Sequence, residues 1–275
     1  MNLEDKERKL IGILSRYDSV IVAFSGGVDS ALLAYMANKI LGERAVAVTA
    51  FSPSVSERQQ QEAIEFARQF NLRHMVIHTE EMEVDAYRAN PANRCYFCKH
   101  ELYSKLSRLT TGFGQSVIAD GTNVDDLSDV RPGRLAAGEL QVRSPFVEAE
   151  LTKQDVRVLS RKAGLPTWDK PASACLSSRF PYGIAITEER LRVVDRGEEL
   201  LRNLGFRTFR VRYHEQLVRL EIAKAELPRA LTVDMAELFS EEFRKLGFTF
   251  VTLDLSGYRS GSSNEALCEI QQASQ

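Results

Sequence analysis

The sequence predicts an α/β protein, a doubly wound parallel sheet with a smaller C-terminal α+β domain. Short apolar runs alternate with amphipathic helical stretches through the first two thirds of the chain, the order expected of βαβ units. The runs are mostly apolar and do not alternate with polar residues, as in strands covered on both faces. A Gly26-Gly27 pair joins the first run directly to a helix, a turn typical of ligand-binding βα connections.

Strands are expected at Val20–Phe24, Ala45–Ala50, His74–His78 and Ser116–Ala119, with helices near Ser30–Leu41, Ser56–Phe70 and Cys98–Leu109. In such sheets ligands bind beyond the carboxyl ends of the strands, where Ser25–Ser30 falls. Another helix, Lys153–Ala163, stops at Gly164 with Pro166 just beyond. Trp168–Gly183 carries Pro171 and Pro181 and little regular pattern. It reads as a functional loop leading to a boundary near Gly183, giving domains 1–183 and 184–275. The second domain has a helix at Thr187–Leu204, strands at Phe209–Tyr213 and Val218–Ile222, a helix at Met235–Leu246 and a last strand at Thr249–Leu255. A mostly antiparallel sheet is expected there.

With 275 residues the chain can bury a sizeable core. A formal charge of −2 gives no global field that would favour nucleic acid. Met1–Arg8 is a charged helical start rather than a signal peptide, and no apolar run reaches bilayer length. Four cysteines in such a chain favour metal or catalytic roles in a reducing compartment. The expected location is cytoplasmic, with no membrane partner.

The most informative segment is Ile21–Ser30. Gly26 and Gly27 let backbone N–H groups approach a ligand, and the following helix points its positive end at the same place. Asp29 would repel phosphates there unless Mg²⁺ lies between. The combination points to a nucleotide whose pyrophosphate is bound with a metal, against the plainer reading of a helix capped by Ser25 or Asp29. Ser25–Ser30 resembles the SGGxDS loop of the Rossmann-like ATP pyrophosphatases, the PP-loop superfamily, and is not a Walker A loop. That resemblance implies cleavage of ATP between the α and β phosphates and adenylation of a carboxylate or carbonyl oxygen. The ATP-binding residues it implies are Ala23, Ser25, Gly26, Gly27, Asp29, Ser30 and Gly121. Asp120-Gly121-Thr122-Asn123 alone would be an ordinary turn, but the superfamily carries a similar GTN segment beside the nucleotide. Ser144-Pro145-Phe146 and Leu151–Arg157 also resemble superfamily elements; Thr152 reads as a helix cap, Lys153 as a solvated lysine or a phosphate contact.

Cys95-Tyr96-Phe97-Cys98 is a CxxC followed by a helix. Half a zinc site, a redox pair and part of an iron–sulfur site all compete for it. His74, His78, His100 and His214 are scattered, and His100 is poorly placed beside Cys98. A third thiol, Cys175, lies in Lys170–Gly183; Cys268 reads as structural. The plain alternative makes all three buried small residues. Three thiolates on a 4Fe–4S cluster would leave one iron open for an extra sulfide, which an adenylating enzyme could hand to its activated substrate.

Phe209–Tyr213 alternates, so Arg210 and Arg212 share one strand face. Adjacent guanidiniums suit a phosphate, although a solvated face is the plain alternative. Glu198 and Glu221 are candidates to pair with them, or to place a metal or substrate.

Ser25–Ser30, Arg131-Pro132-Gly133, Ala172–Gly183, Arg210–Tyr213 and Leu253–Gly261 together resemble the LarE family of pyridinium-3,5-biscarboxylic acid mononucleotide sulfurtransferases, nearly end to end. The resemblance implies synthesis of the nickel-pincer nucleotide cofactor of lactate racemase. ATP and Mg²⁺ would adenylate a substrate carboxylate, which becomes a thiocarboxylate, twice per product. Asp29 and Cys175 would be catalytic, with Asp29 holding magnesium. Arg210, Arg212 and Arg259 would lie at the substrate phosphate. Some members sacrifice the sulfur of a cysteine matching Cys175; others add a CxxC and use a cluster. Cys95, Cys98 and Cys175 place this chain with the cluster type, served by a sulfide donor. The family also implies a homo-oligomer, a hexamer. A tRNA thiolase of the same superfamily would be expected to add zinc-finger cysteines or an RNA-binding module and a basic face. An NAD- or GMP-synthetase-like ligase needs no CxxC, and an ATP-binding regulator would leave the cysteines and arginines unused. No nucleic-acid partner is therefore expected.

Overall fold

The computed structural model describes residues 1–113, 116–127, 132–171 and 174–259. Arg131, Ala172, Ser173, Ser260, Gly261 and Cys268 lie outside the described residues. The helices are α1 (Leu3–Ser15), α2 (Val28–Leu41), α3 (Glu57–Gln69), α4 (Asp85–Arg88), α5 (Arg94–Thr110), α6 (Gly133–Glu139), α7 (Pro145–Glu148), α8 (Lys153–Lys162), α9 (Glu188–Asn203), α10 (Leu227–Ala230) and α11 (Val233–Lys245). The strands are β1 (Val20–Ala23), β2 (Ala45–Phe51), β3 (His74–His78), β4 (Val117–Ala119), β5 (Phe209–His214), β6 (Leu217–Ile222) and β7 (Phe250–Leu253).

The residues form two compact units, Met1–Val84 with Asn93–Ser173, and Asp85–Ala92 with Ala174–Gln275. These limits differ from a single boundary at Gly183, because backbone bonds tie two segments into the second unit. Gly183 N donates to Asn90 O (3.0 Å) and Ile186 N to Arg88 O (2.8 Å). Tyr87 Oη and Ser177 Oγ are 2.6 Å apart and buried.

In the first unit β1–β4 form a parallel sheet ordered β3-β2-β1-β4. Alternate side chains of the apolar runs supply two separate cores. Val20, Val22, Ala45 and Ala47 join α1, α2, α3 and α8 through Leu10, Leu33, Phe66 and Val156. Ile21, Val46, Val48 and Ile118 face the other way and join Tyr103 and Leu106 of α5 with Ala136 of α6. Helices on both faces explain why these strands do not alternate in polarity. Strand order reverses between β1 and β4, which sets the ligand crevice at their carboxyl ends.

The second unit holds a sheet ordered β5-β6-β7. Only β5–β6 is antiparallel; β7 runs parallel to β6. The expected mostly antiparallel sheet is corrected here, because α10 and α11 form a crossover that returns the chain to the starting end of β6, so β7 runs in the same direction. Among the described residues no helix is long and apolar enough to cross a membrane.

Candidate functional site

At the end of β1 the chain turns through Ser25, Gly26 and Gly27 into α2. Gly26 adopts φ +69°, open to glycine at little cost. Ser30 Oγ lies 3.1 Å from Ser25 Oγ and accepts from Ser25 N at 3.2 Å, closing the loop on itself. Gly27 is the N-cap of α2 and offers no side-chain acceptor, so the first N–H groups of the helix are left for a ligand. Ala23, Ser25, Gly26, Gly27, Asp29 and Ser30 are thus brought together.

Gly121 belongs to the same place. A Cβ there would stand 2.9 Å from the carbonyl carbon and Cβ of Asp29 and from Ser30 N. Asn123 Nδ2 donates to Asp29 Oδ1 (3.2 Å), and Lys153 Nζ pairs with Asp29 Oδ2. Thr152 caps α8 in a reciprocal capping box with Asp155, which sets where Lys153 starts. Lys153 therefore lies at the loop, not in bulk solvent. Lys170, which sequence reasoning missed, donates to Gly26 O (3.2 Å) and pairs with Glu62 (2.6 Å). Burial raises Glu62's carboxyl, but bonds and charge from Lys170 and Arg58 outweigh it and hold it below the usual range. Only Lys170's place in a proline-flanked loop hinted at a role.

The CxxC lies inside a helix rather than ahead of one, since α5 begins at Arg94. Cys95 and Cys98 are therefore three residues apart on one face of its first turns, Cys95 exposed and Cys98 half-buried. Lys99 packs its ammonium 5.4 Å from the Tyr103 ring centroid. Electrostatic attraction to the Tyr103 oxygen, then to Cys98, Asp120 and Cys95, holds Lys99 above the ordinary lysine range despite burial. Tyr103 Oη donates to Asp120 Oδ2 (3.0 Å), and Asp120 Oδ1 accepts from Ser144 Oγ (2.8 Å) and Thr122 N (3.1 Å). The Asp120–Asn123 turn is thereby anchored to α5.

In the second unit Cys175, a half-buried thiol, precedes a 3₁₀ turn, Leu176–Arg179. Arg179 was not singled out by sequence, although it stands four residues after Cys175. Its side chain is 3% exposed. It donates to Ala174 O (2.8 Å), Cys175 O (3.0 Å) and Ser178 Oγ (2.9 Å). Through Nε and Nη2 it also makes a two-pronged pair with Glu198 at 2.8 and 3.0 Å. Desolvation raises Glu198's carboxyl, and Arg179's charge and hydrogen bonds reverse that, holding it below the usual range.

Arg212 is matched by Glu221 (2.9 Å) and also donates to Ser178 O (2.8 Å). Glu221, 1% exposed, accepts from Arg219 as well (3.1 Å). So Glu221 pairs with one of the expected arginines, whereas Glu198's hydrogen-bonded pair is with Arg179. Arg210 donates to Phe209 O (2.6 Å) and stacks over Tyr258 at 4.9 Å. Burial, then the charge of Arg179, pushes the Arg210 guanidinium below the ordinary arginine range. Arg259 is exposed.

A single carboxylate, Asp29, beside a phosphate-type loop suits a hard cation shared with a nucleotide. Three thiols are the donor type an iron–sulfur cluster requires; two share α5 and the third belongs to the other unit. Among the described residues no three His, Cys, Asp or Glu side chains are grouped to hold a metal.

Residues 13–99 match the NAD synthase family model. An uncharacterized protein of Synechocystis sp. is 45% identical over 266 residues, 96% of this chain and 99% of that protein. An uncharacterized protein of Methanocaldococcus jannaschii is 31% identical over 241 residues, 88% of this chain and 91% of its own. The pyridinium-3,5-bisthiocarboxylic acid mononucleotide synthase of Lactiplantibacillus plantarum is 35% identical over 272 residues, 98% of both chains. With that kinship running end to end, the chain belongs to the LarE family, that of pyridinium-3,5-bisthiocarboxylic acid mononucleotide synthase.

Proposed function

We propose that the chain is an ATP-dependent sulfurtransferase that converts the carboxylates of pyridinium-3,5-biscarboxylic acid mononucleotide into thiocarboxylates for nickel-pincer nucleotide synthesis. The observation that carries this reading is its end-to-end similarity to a synthase named for the bisthiocarboxylated mononucleotide. A substrate carboxylate oxygen attacks the α phosphorus of ATP, the α–β phosphoanhydride bond breaks, and pyrophosphate leaves. A sulfur nucleophile then attacks the acyl carbon; the C–S bond forms as the C–O bond to AMP breaks. The cycle runs once at each carboxylate.

The Ser25–Ser30 loop and Lys153 supply donors and positive charge where pyrophosphate would lie. Asp29 would hold Mg²⁺, which supplies charge neutralisation at the phosphates. Arg210, Arg212 and Arg259 would take the substrate phosphate. Cys95, Cys98 and Cys175 would hold a 4Fe–4S cluster, which when bound supplies the sulfide, renewed by an external donor.

Intact mass and product analysis after anaerobic turnover test the reading. AMP, pyrophosphate and thiocarboxylate with an unchanged protein mass are expected. A protein lighter by the elements of H₂S would show instead that Cys175 gives up its own sulfur and becomes dehydroalanine. Absence of AMP with this substrate would refute the activity.

A further inference from the structure

Arg210 Cζ lies over the Tyr258 ring, 4.9 Å from its centroid, and the chain fixes that ring in place. Tyr258 follows Gly257, which adopts φ +70° and would bring a Cβ to 2.8 Å from Ile222 O. Tyr258 N donates to that same carbonyl (2.9 Å), so the residue is fixed to the end of β6. Its ring centroid then lies 4.9 Å from Arg210 Cζ, and its hydroxyl stands 3.5 Å from Nη2. The hydroxyl contact is at the edge of hydrogen-bonding distance; the ring face is the stronger constraint. A guanidinium stacks through its faces and donates through its edges. The Tyr258 ring against Cζ and Nη1 held on Phe209 O (2.6 Å) leave Arg210 little rotational freedom.

The surroundings favour an anion at that edge. Arg179 is committed to Glu198, and Arg212 and Arg219 share Glu221. Burial, then the nearby charge of Arg179, bears on Arg210 more than Glu198's opposing charge does, and Tyr258 opposes them while Arg212 adds a smaller repulsion. A phosphate taken in the guanidinium plane would relieve that repulsion.

We infer that Tyr258 is a positioning residue, whose ring, fixed to β6 through Gly257, aims the Arg210 guanidinium at the substrate's phosphate. This rests on the assignment of Arg210 to that phosphate under the proposed function. It concerns orientation, not contact with the reacting atoms.

The test compares Tyr258→Phe, which keeps the π face, with Tyr258→Met, which fills similar volume without it. Arg210→Gln serves as the reference, and folding is checked by circular dichroism. KM is measured for the mononucleotide and for ATP, and inorganic phosphate is titrated against each chain by calorimetry. The expected result is a mononucleotide KM about tenfold higher for Tyr258→Met. Its ATP KM should be unchanged, phosphate binding weaker, and Tyr258→Phe close to the parent. If Arg210→Gln raises the mononucleotide KM and Tyr258→Met does not, the ring has no positioning role. If Tyr258→Met shifts both KM values equally, or Tyr258→Phe behaves like Tyr258→Met, orientation by the π face is refuted. If Arg210→Gln itself changes nothing, the phosphate assignment fails and the inference with it.

Discussion

Replacing Glu198 by alanine would leave the Arg179 guanidinium on a side chain that is 3% exposed and strip two of its donors, Nε and Nη2, of their acceptors. Each buried hydrogen bond to a charged partner contributes about 1.5–3 kcal/mol, so losing both costs about 3–6 kcal/mol. Breaking a buried ion pair by removing one partner independently gives about 3–5 kcal/mol. The assay is urea unfolding at neutral pH followed by circular dichroism. Arg179→Met combined with Glu198→Leu removes both charges and should recover most of the loss, but not activity, because Arg179 also holds the carbonyls of Ala174 and Cys175. The pair has a pH signature. Glu198's carboxyl is held below its usual range, so its stabilisation is fully present above the unfolded-state value, about pH 4. It is lost as pH falls through the lower folded-state value. Glu198→Ala should therefore be less acid-sensitive than the parent. A loss under about 1 kcal/mol together with abolished metal or substrate binding would refute the reasoning and make Glu198 a ligand.

Gly121→Ala should raise the ATP KM at least tenfold, since its Cβ would meet backbone of Asp29 and Ser30 at 2.9 Å; isotope-exchange kinetics with pyrophosphate would report it, and an unchanged KM would remove the turn from the nucleotide site. Asp29→Asn should reduce Mg²⁺-dependent AMP release at least a hundredfold while leaving iron content after reconstitution unchanged. Unimpaired AMP release would exclude Asp29 from the phosphates. Cys175→Ala should lose the broad visible absorption of a reconstituted cluster, and an unchanged spectrum and iron content would refute the three-cysteine assignment.

Several elements are readable because their signals are local. His74–His78 matches β3, and Ser56 and Thr187, the expected helix starts, cap α3 and α9 with side-chain oxygens; α11 starts at Val233, ahead of the expected Met235, behind the cap Thr232. The start of α5 was less readable. No side chain caps it at Asn93, so nothing in sequence marked the CxxC as helical. Nor could local pattern show that β7 pairs parallel to β6, since direction is set by the crossover, not by the strand's own residues.

The sequence by itself determined the two-sided apolar strands, the glycine loop and the thiols, because each depends on residues a few positions apart. Which charge answers which was decided only by tertiary structure. Asp29 meets Asn123 and Lys153 across separations of 94 and 124 residues. Arg179, unremarked in sequence, takes Glu198, while Arg212 takes Glu221. Such pairings are set by where separate segments come to lie in the fold, and desolvation there makes each unmatched charge costly.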